Sequence, residues 1–166
     1  MSRLERVTGD ILDMAENGYI QYLVHGCNCF NTMKSGIAGQ LAKRYPVVKE
    51  ADKVTVRGDR KKLGRYVTVP VRTIDAEFIV VNAYTQYAYG SYNDFFEYDA
   101  FADILSNLKT HLESLRFSGE CVIGFPYIGM GLAGGDSERI IPMIEQFADS
   151  LPENFRTVLV KFEARV

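Results

Sequence analysis

The sequence predicts an α/β fold whose sheet is largely parallel and covered on both faces. Three observations predict it. Short apolar runs rich in Val, Ile, Tyr and Phe recur at 19–25, 65–71, 78–84, 121–125 and 156–162. Stretches with helical spacing lie between most of them, above all Phe101, Ile104, Leu105, Leu108, Leu112 and Leu115. The run Tyr19–His25 is mostly apolar, which suits an interior strand buried on both sides. Strands interleaved with helices pair in parallel, because each helix carries the chain back across the sheet.

Composition bounds the rest. A chain of 166 residues with 47% hydrophobic and 24% charged residues can bury one substantial core, so residues 1–166 are expected to form one domain. The formal net charge of −2 argues against bulk binding to a nucleic-acid backbone. No apolar run reaches the roughly 20 residues that a membrane span needs. The opening Met-Ser-Arg-Leu-Glu-Arg has no apolar signal core, so a cytoplasmic location is expected. The three cysteines, Cys27, Cys29 and Cys121, are an odd number and do not suggest a disulfide framework. Cys27 and Cys29 lie near His25, but Cys-x-Cys is a poor zinc spacing and a fourth ligand is lacking. Buried small thiols are the better reading.

Taken in order, Arg6–Asp10 reads as a short strand ending in a turn. Ile11–Glu16 is one or two helical turns, stopped by Asn17-Gly18. The strand Tyr19–His25 runs into the polar loop Gly26–Asn31. Gly36–Tyr45 is a helix, since Ile37, Leu41 and Tyr45 share a face, and Pro46 stops it. A second helix follows from Pro46 to about Thr55. Arg57–Lys62 is a charged turn, read as solvated rather than as a nucleic-acid patch. Arg65–Val71 and Phe78–Tyr84 are strands close enough for a hairpin. Thr85–Asn93 is a loop rich in Tyr, and Asn93 or Asp94 is the expected cap of the long helix. Ser118-Gly119 ends that helix, and a strand starts at Cys121. The last helix runs from Asp136 to about Asp149. Pro142 implies that it is kinked or begins late. Arg156–Phe162 is the final strand.

The segment after Cys121 carries the strongest functional signal. It becomes a loop with Gly124, Gly129, Gly131, Gly134 and Gly135, and a helix follows. Glycines let a backbone approach a ligand closely, and successive N–H groups beside a helix N-terminus attract anions. Phosphate is the expected ligand. Gly129-Met-Gly-Leu-Ala-Gly134 matches G-x-G-x-x-G, which keeps a dinucleotide site open. Too little chain follows for a doubly wound sheet, and no clear acidic residue ends the next strand. No Walker A lysine pattern is present. Gly9-Asp10-Ile11, His25–Asn28 and Lys34–Ala38 also follow strands or open a helix. In a parallel sheet such loops converge on one crevice.

Together these segments resemble a macro domain. The resemblance rests on Gly9-Asp10-Ile11, His25-Gly-Cys-Asn-Cys29, Ser35-Gly-Ile-Ala-Gly-Gln-Leu41, Arg44-Tyr-Pro46 and Ile128-Gly-Met-Gly-Leu-Ala-Gly-Gly-Asp136, in order along nearly the whole chain. The set is most similar to the small ADP-ribose-1''-phosphate phosphatases, in the branch that includes the ADP-ribosyl-glutamate hydrolases. It implies a three-layer α/β/α sandwich with a mixed, largely parallel central sheet. It also implies ADP-ribose and ADP-ribose-1''-phosphate as partners, with no nucleic acid, membrane, metal or cofactor, and a monomer as the working expectation.

The implied ligand-binding residues are Gly9, Asp10, Ile11, Cys27, Asn28, Lys34, Ser35, Gly36, Ile37 and Ala38, with Ile128, Gly129, Met130, Gly131, Leu132, Ala133 and Gly134. Asp10 would accept from the adenine amine, or cap the helix at 11–16, or both. Gly129–Gly134 and the helix start at Gly36–Ala38 would hold the diphosphate. Asn28 would bind the distal ribose. The implied catalytic residues are His25, Asn28 and Asp136. His25 could equally be a satisfied core residue, and Asp136 a helix cap. Phe162 reads as core more than as an adenosine stack, and His111 as packing. A tyrosine of Tyr84–Tyr92 could line the ribose or form a lid.

In the hydrolases of that branch a lysine after the corresponding strand attacks the ribose. Here the region reads Tyr84-Thr85-Gln86-Tyr87, without lysine. The resemblance therefore favours phosphate-ester hydrolysis over removal of ADP-ribose from acidic side chains. A non-catalytic ADP-ribose reader would use the same ligand residues.

Overall fold

Six strands form one sheet in a computed structural model that describes residues 1–89, 96–115, 118–131 and 133–163. In chain order the elements are β1 (Glu5–Gly9), α1 (Ile11–Glu16), β2 (Tyr22–Cys27), α2 (Gly36–Arg44), α3 (Pro46–Lys53), β3 (Tyr66–Arg72), β4 (Glu77–Tyr84), α4 (Tyr98–Ser114), β5 (Cys121–Pro126), α5 (Ser137–Ser150) and β6 (Phe155–Phe162). A 3-10 turn at Arg60–Lys62 precedes β3. The strand order is β1-β6-β5-β2-β4-β3. All neighbours are parallel except β3, which forms an antiparallel hairpin with β4. The sheet is mixed and mostly parallel, as expected.

Alternation along the strands makes three layers. Tyr22, Val24, Val81, Ala83, Ile123, Phe125 and Leu159 face one way and pack on α4 and α5. Leu23, Val80, Val122, Val158 and Val160 face the other way and pack on α1, α2 and α3. A period of two with apolar residues on both faces is what a doubly covered sheet requires. The stripe on α4 is buried at Phe101, Ile104, Leu105, Leu108 and Leu112, as its 3.6-residue spacing predicts.

Helix α5 spans Ser137–Ser150, close to the expected bounds, and Pro142 lies inside it on the exposed face. The missing N–H would have served a carbonyl in the first turn, where water can take its place. Helix α4 ends at Ser114, short of Ser118-Gly119. Its start is flanked by Glu97, and Asn93 and Asp94 lie outside the described residues. The charged turn is not wholly solvated: Lys62 is 8% exposed. Its Nζ donates to Cys29 O (3.0 Å), Asn31 Oδ1 (2.9 Å) and Val56 O (3.1 Å). No described helix is long and apolar enough to cross a membrane.

Candidate functional site

The five parallel strands end at one edge of the sheet, and their loops enclose a crevice of about 770 Å³. Its walls include Gly9 and Ile11 after β1, Cys27 and Asn28 after β2, Ile128, Gly129, Gly131 and Ala133 after β5, and Phe162 after β6. Lys34, Ser35, Gly36, Ile37 and Ala38 form the opposite wall at the start of α2. That volume suits a nucleotide-sized ligand. Lys34 and Lys161 are on the lining, and no carboxylate is among the described lining residues. The crevice therefore favours an anion.

The glycine loop divides its N–H groups between itself and the crevice. Met130 N donates to Tyr127 O (3.3 Å), Gly134 N to Gly131 O (3.0 Å) and Gly135 N to Gly129 O (2.7 Å). The N–H groups of Gly129, Gly131 and Ala133 have no partner among the described residues. Met130 and Gly134 are absent from the lining because the curl of the loop turns them away. Leu132 lies outside the described residues. Gly129 has φ 72°, and a Cβ there would stand 2.1 Å from the Phe96 ring. Gly131 has open space around it. On the facing wall, Ser35 takes the N-cap position of α2 without a side-chain cap bond. The first N–H groups of that helix are left for a ligand.

Asp10 is not on the lining. Its Oδ1 accepts from Leu12 N (3.0 Å) and Asp13 N (3.3 Å), so it caps α1. None of the described hydrogen bonds uses Oδ2, and capping leaves that oxygen for a ligand. Phe162, expected in the core, is 54% exposed and stands at the crevice. As the last residue of β6 it projects past the sheet edge.

Of the expected acid–base groups, His25 lines the crevice and Asp136 does not. Asp136 is exposed, off the lining, and caps α5 through Oδ1 to Glu138 N at 2.9 Å. Its N–H donates to Tyr98 Oη at 2.9 Å. The His25 side chain is 1% exposed, with Nε2 at 2.5 Å from Asn82 Oδ1. Asn82 directs Nδ2 to Val48 O, so Oδ1 faces the ring and Nε2 carries the proton. Burial lowers the pKa from 6.5 to about 4, against the opposing Asn82 bond. The ring is neutral at pH 7 and hydrogen-bonded beneath the crevice lining. Asn28 spends its amide on its own loop: Nδ2 donates to Thr32 Oγ1 (2.6 Å) and O (3.1 Å), and Oδ1 accepts from Phe30 N (2.8 Å).

The three thiols are buried and free. Burial raises Cys27 well above its ordinary range, Cys29 to about 11 and Cys121 to about 12. They remain protonated, as small buried thiols do. Among the described residues no three His, Cys, Asp or Glu gather as metal ligands do.

The crevice also holds residues that sequence reading passed over: Gly26, Thr32, Thr85, Gln86, Pro126, Tyr127, Val160 and Lys161. Most sit at strand C-termini, so the rule that predicted the crevice could have reached them. Tyr89 is the lining residue from the tyrosine-rich loop. Thr85 Oγ1 is buried and without a hydrogen-bond partner among the described residues.

A six-stranded mixed sheet with this crevice at its carboxyl edge is a macro-domain fold. The macrodomain of Thermus aquaticus DarG superposes with a TM-score of 0.68 at 19% identity, covering 97% of this chain and 98% of that one. Thermosipho africanus DarTG, solved in complex with ADP-ribose, gives a TM-score of 0.63 at 16% identity, over 89% of this chain and 39% of that one. The sequence is 34% identical over 158 residues to an uncharacterized 17.5 kDa protein from the tk-vs intergenic region of enterobacteria phage T4, covering 95% of each chain. The chain belongs to one family with that phage protein, and its fold is that of a macro domain. A more partial likeness, 37% over 71 residues, joins it to the ADP-ribose 1''-phosphate phosphatase of Saccharomyces cerevisiae. It covers 42% of this chain and 39% of that one. No protein-family model matches the chain.

Proposed function

We propose that residues 1–166 are one ADP-ribose-binding domain that hydrolyses ADP-ribose-1''-phosphate to ADP-ribose and phosphate. One observation carries the binding: Gly129, Gly131 and Ala133, whose N–H groups have no partner among the described residues, line the same crevice as the uncapped start of α2, with no carboxylate among the described lining residues. Two rows of backbone donors about a nucleotide-sized space fit a diphosphate. Asp10 Oδ2 takes the adenine amine and Phe162 flanks the ring. Thr32, Gln86 and Tyr89 border the distal ribose. The yeast relative's name and the missing lysine support phosphate-ester hydrolysis.

We assign the activation of water neither to His25, which lines the crevice with its ring bonded to Asn82, nor to Asp136, which lies off the lining. Phosphoryl transfer needs little covalent help when the groups are oriented and the charge is met. Thr85 Oγ1 and Lys34 are the side chains nearest to such a role. Calorimetric titration with ADP-ribose tests the binding. Phosphate release from ADP-ribose-1''-phosphate, with no metal added, tests the turnover. Tight binding without release would favour a reader, the reading that the buried His25 ring and the capping role of Asp136 support. Failure of ADP-ribose to bind folded protein would overturn both.

A further inference from the structure

Charge is unevenly spread along this chain. Residues 34–65 hold ten Lys and Arg against three Asp and Glu, a balance of +7, and the rest of the chain carries −9. The overall −2 is an average over two unlike parts. Within the basic part, Lys53, Arg57, Arg60 and Lys61 are exposed, and among the described residues none of them forms an ion pair. The one acidic neighbour in the turn, Asp59, turns its Oδ1 to Lys61 N at 2.9 Å.

These cations gather around aromatic rings at the mouth of the crevice. The Arg57 guanidinium lies 5.8 Å from the centre of Phe30, and its Nη1 donates to Phe30 O at 2.8 Å. Arg60 lies 4.3 Å over Tyr87. Phe30 meets Tyr87 edge-on at 4.9 Å and Tyr89 at 6.1 Å. Tyr89 is 53% exposed and is itself a crevice wall, with Lys34 close by on the same lining. Asn31 ties the end of α3 to this loop, through Nδ2 to Lys53 O and Thr55 O. The result is a basic and aromatic ridge that continues outward from the crevice.

We propose that this ridge is a docking surface for single-stranded nucleic acid. Unpaired cations on short loops suit a flexible phosphate backbone, and guanidinium planes and exposed tyrosine suit unstacked bases. A lipid surface would use the cations but not the ring faces. A duplex would ask for an element that enters a groove, and a 3-10 turn offers none. Tyr89 belongs to both, but the cations Arg57, Arg60 and Lys61 lie off the crevice lining, so their removal tests the ridge apart from ADP-ribose binding.

The test is fluorescence anisotropy with a labelled 12-nucleotide oligouridylate across a salt series. The wild type should bind with affinity that falls as salt rises. Arg57→Glu/Arg60→Glu/Lys61→Glu should weaken binding at least tenfold and flatten the log–log salt slope by about two, as loss of three phosphate contacts predicts. Its calorimetric affinity for ADP-ribose should stay within about twofold. The control Arg6→Glu/Arg72→Glu/Lys109→Glu makes the same change in net charge elsewhere and should bind like wild type. Arg60→Ala alone, a smaller change, should lose about threefold. Equal losses in both triple variants would overturn the proposal, as would anionic vesicles binding where the oligonucleotide does not.

Discussion

Two loops face each other across the crevice, and they are held in opposite ways. The loop from β5 to α5 is shaped by backbone: hydrogen bonds among Tyr127, Gly129, Gly131 and Gly135 curl it, and the N–H groups of Gly129, Gly131 and Ala133 have no partner among the described residues. The loop after β2 is shaped by side chains. Asn28 clasps Phe30 and Thr32, and Asn31, at φ 59°, reaches carbonyls at 52, 53 and 55. Lys62 fills three further acceptors from within. The contrast teaches that polar side chains beside a crevice can be consumed by the fold, whereas bare backbone beside it stays available to a ligand.

The largest expected effect breaks the side-chain loop. Lys62→Met leaves Asn31 Oδ1 without a described donor, leaves Cys29 O and Val56 O with only Gly58 N and Asp59 N, and removes a positive charge near the buried Asp52, whose carboxyl is already raised by burial. Breaking a buried charged network of this kind costs roughly 3–5 kcal/mol. Urea denaturation should show that loss. A change below about 1 kcal/mol would mean that the loop stands without its amine.

A pH titration sharpens the contrast, because His25 belongs to the consumed class. Its folded pKa, about 4, lies below its ordinary 6.5. Below pH 6.5 the unfolded chain binds the proton first. The stabilisation is therefore full above about 6.5 and is lost as pH falls toward 4, by about 3 kcal/mol in all. His25→Gln should flatten this part of the stability curve. ADP-ribose affinity should stay level in both proteins from pH 8 to pH 5, and a step near pH 6.5 would return the ring to the ligand.

On the backbone side, Gly131→Glu should leave melting within about 2 °C of wild type, since nothing lies within 4 Å of a Cβ placed there. A carboxylate between the two rows of donors should weaken ADP-ribose at least 100-fold, or about 2.7 kcal/mol. Unchanged affinity by calorimetry would move the ligand elsewhere. The smallest effect concerns the helix cap. Asp136→Ala should cost about 1 kcal/mol of stability and leave phosphate release unaltered. A tenfold drop in rate would restore Asp136 to the chemistry.

The phosphate-holding half of the site was readable because its signal is local. Five glycines within twelve residues, after an apolar run and before a helix, have few purely structural explanations. The catalytic half was not, because His25 is held by a distant residue, while Asn28 and Asp136 bond to near neighbours in ways their letters do not announce. Asn82 is 57 positions from His25. Asp136 needed only Glu138 N to become a cap, and a cap and an acid–base group are written with the same letter. Lys62 shows the same limit from the other side: inside a run of charges, nothing marks the one that turns inward.

By itself the sequence determined the layers, the order of elements to within a few residues, and the glycine loop. All of these follow from periodicity and backbone freedom, which are properties of neighbours along the chain. Tertiary structure alone decided that Asn82 takes the His25 ring, that Lys62 turns inward to Cys29 and Asn31, and that Arg57 and Arg60 meet Phe30 and Tyr87 at one rim. Those outcomes are set by distances between residues tens of positions apart, and no local pattern encodes them.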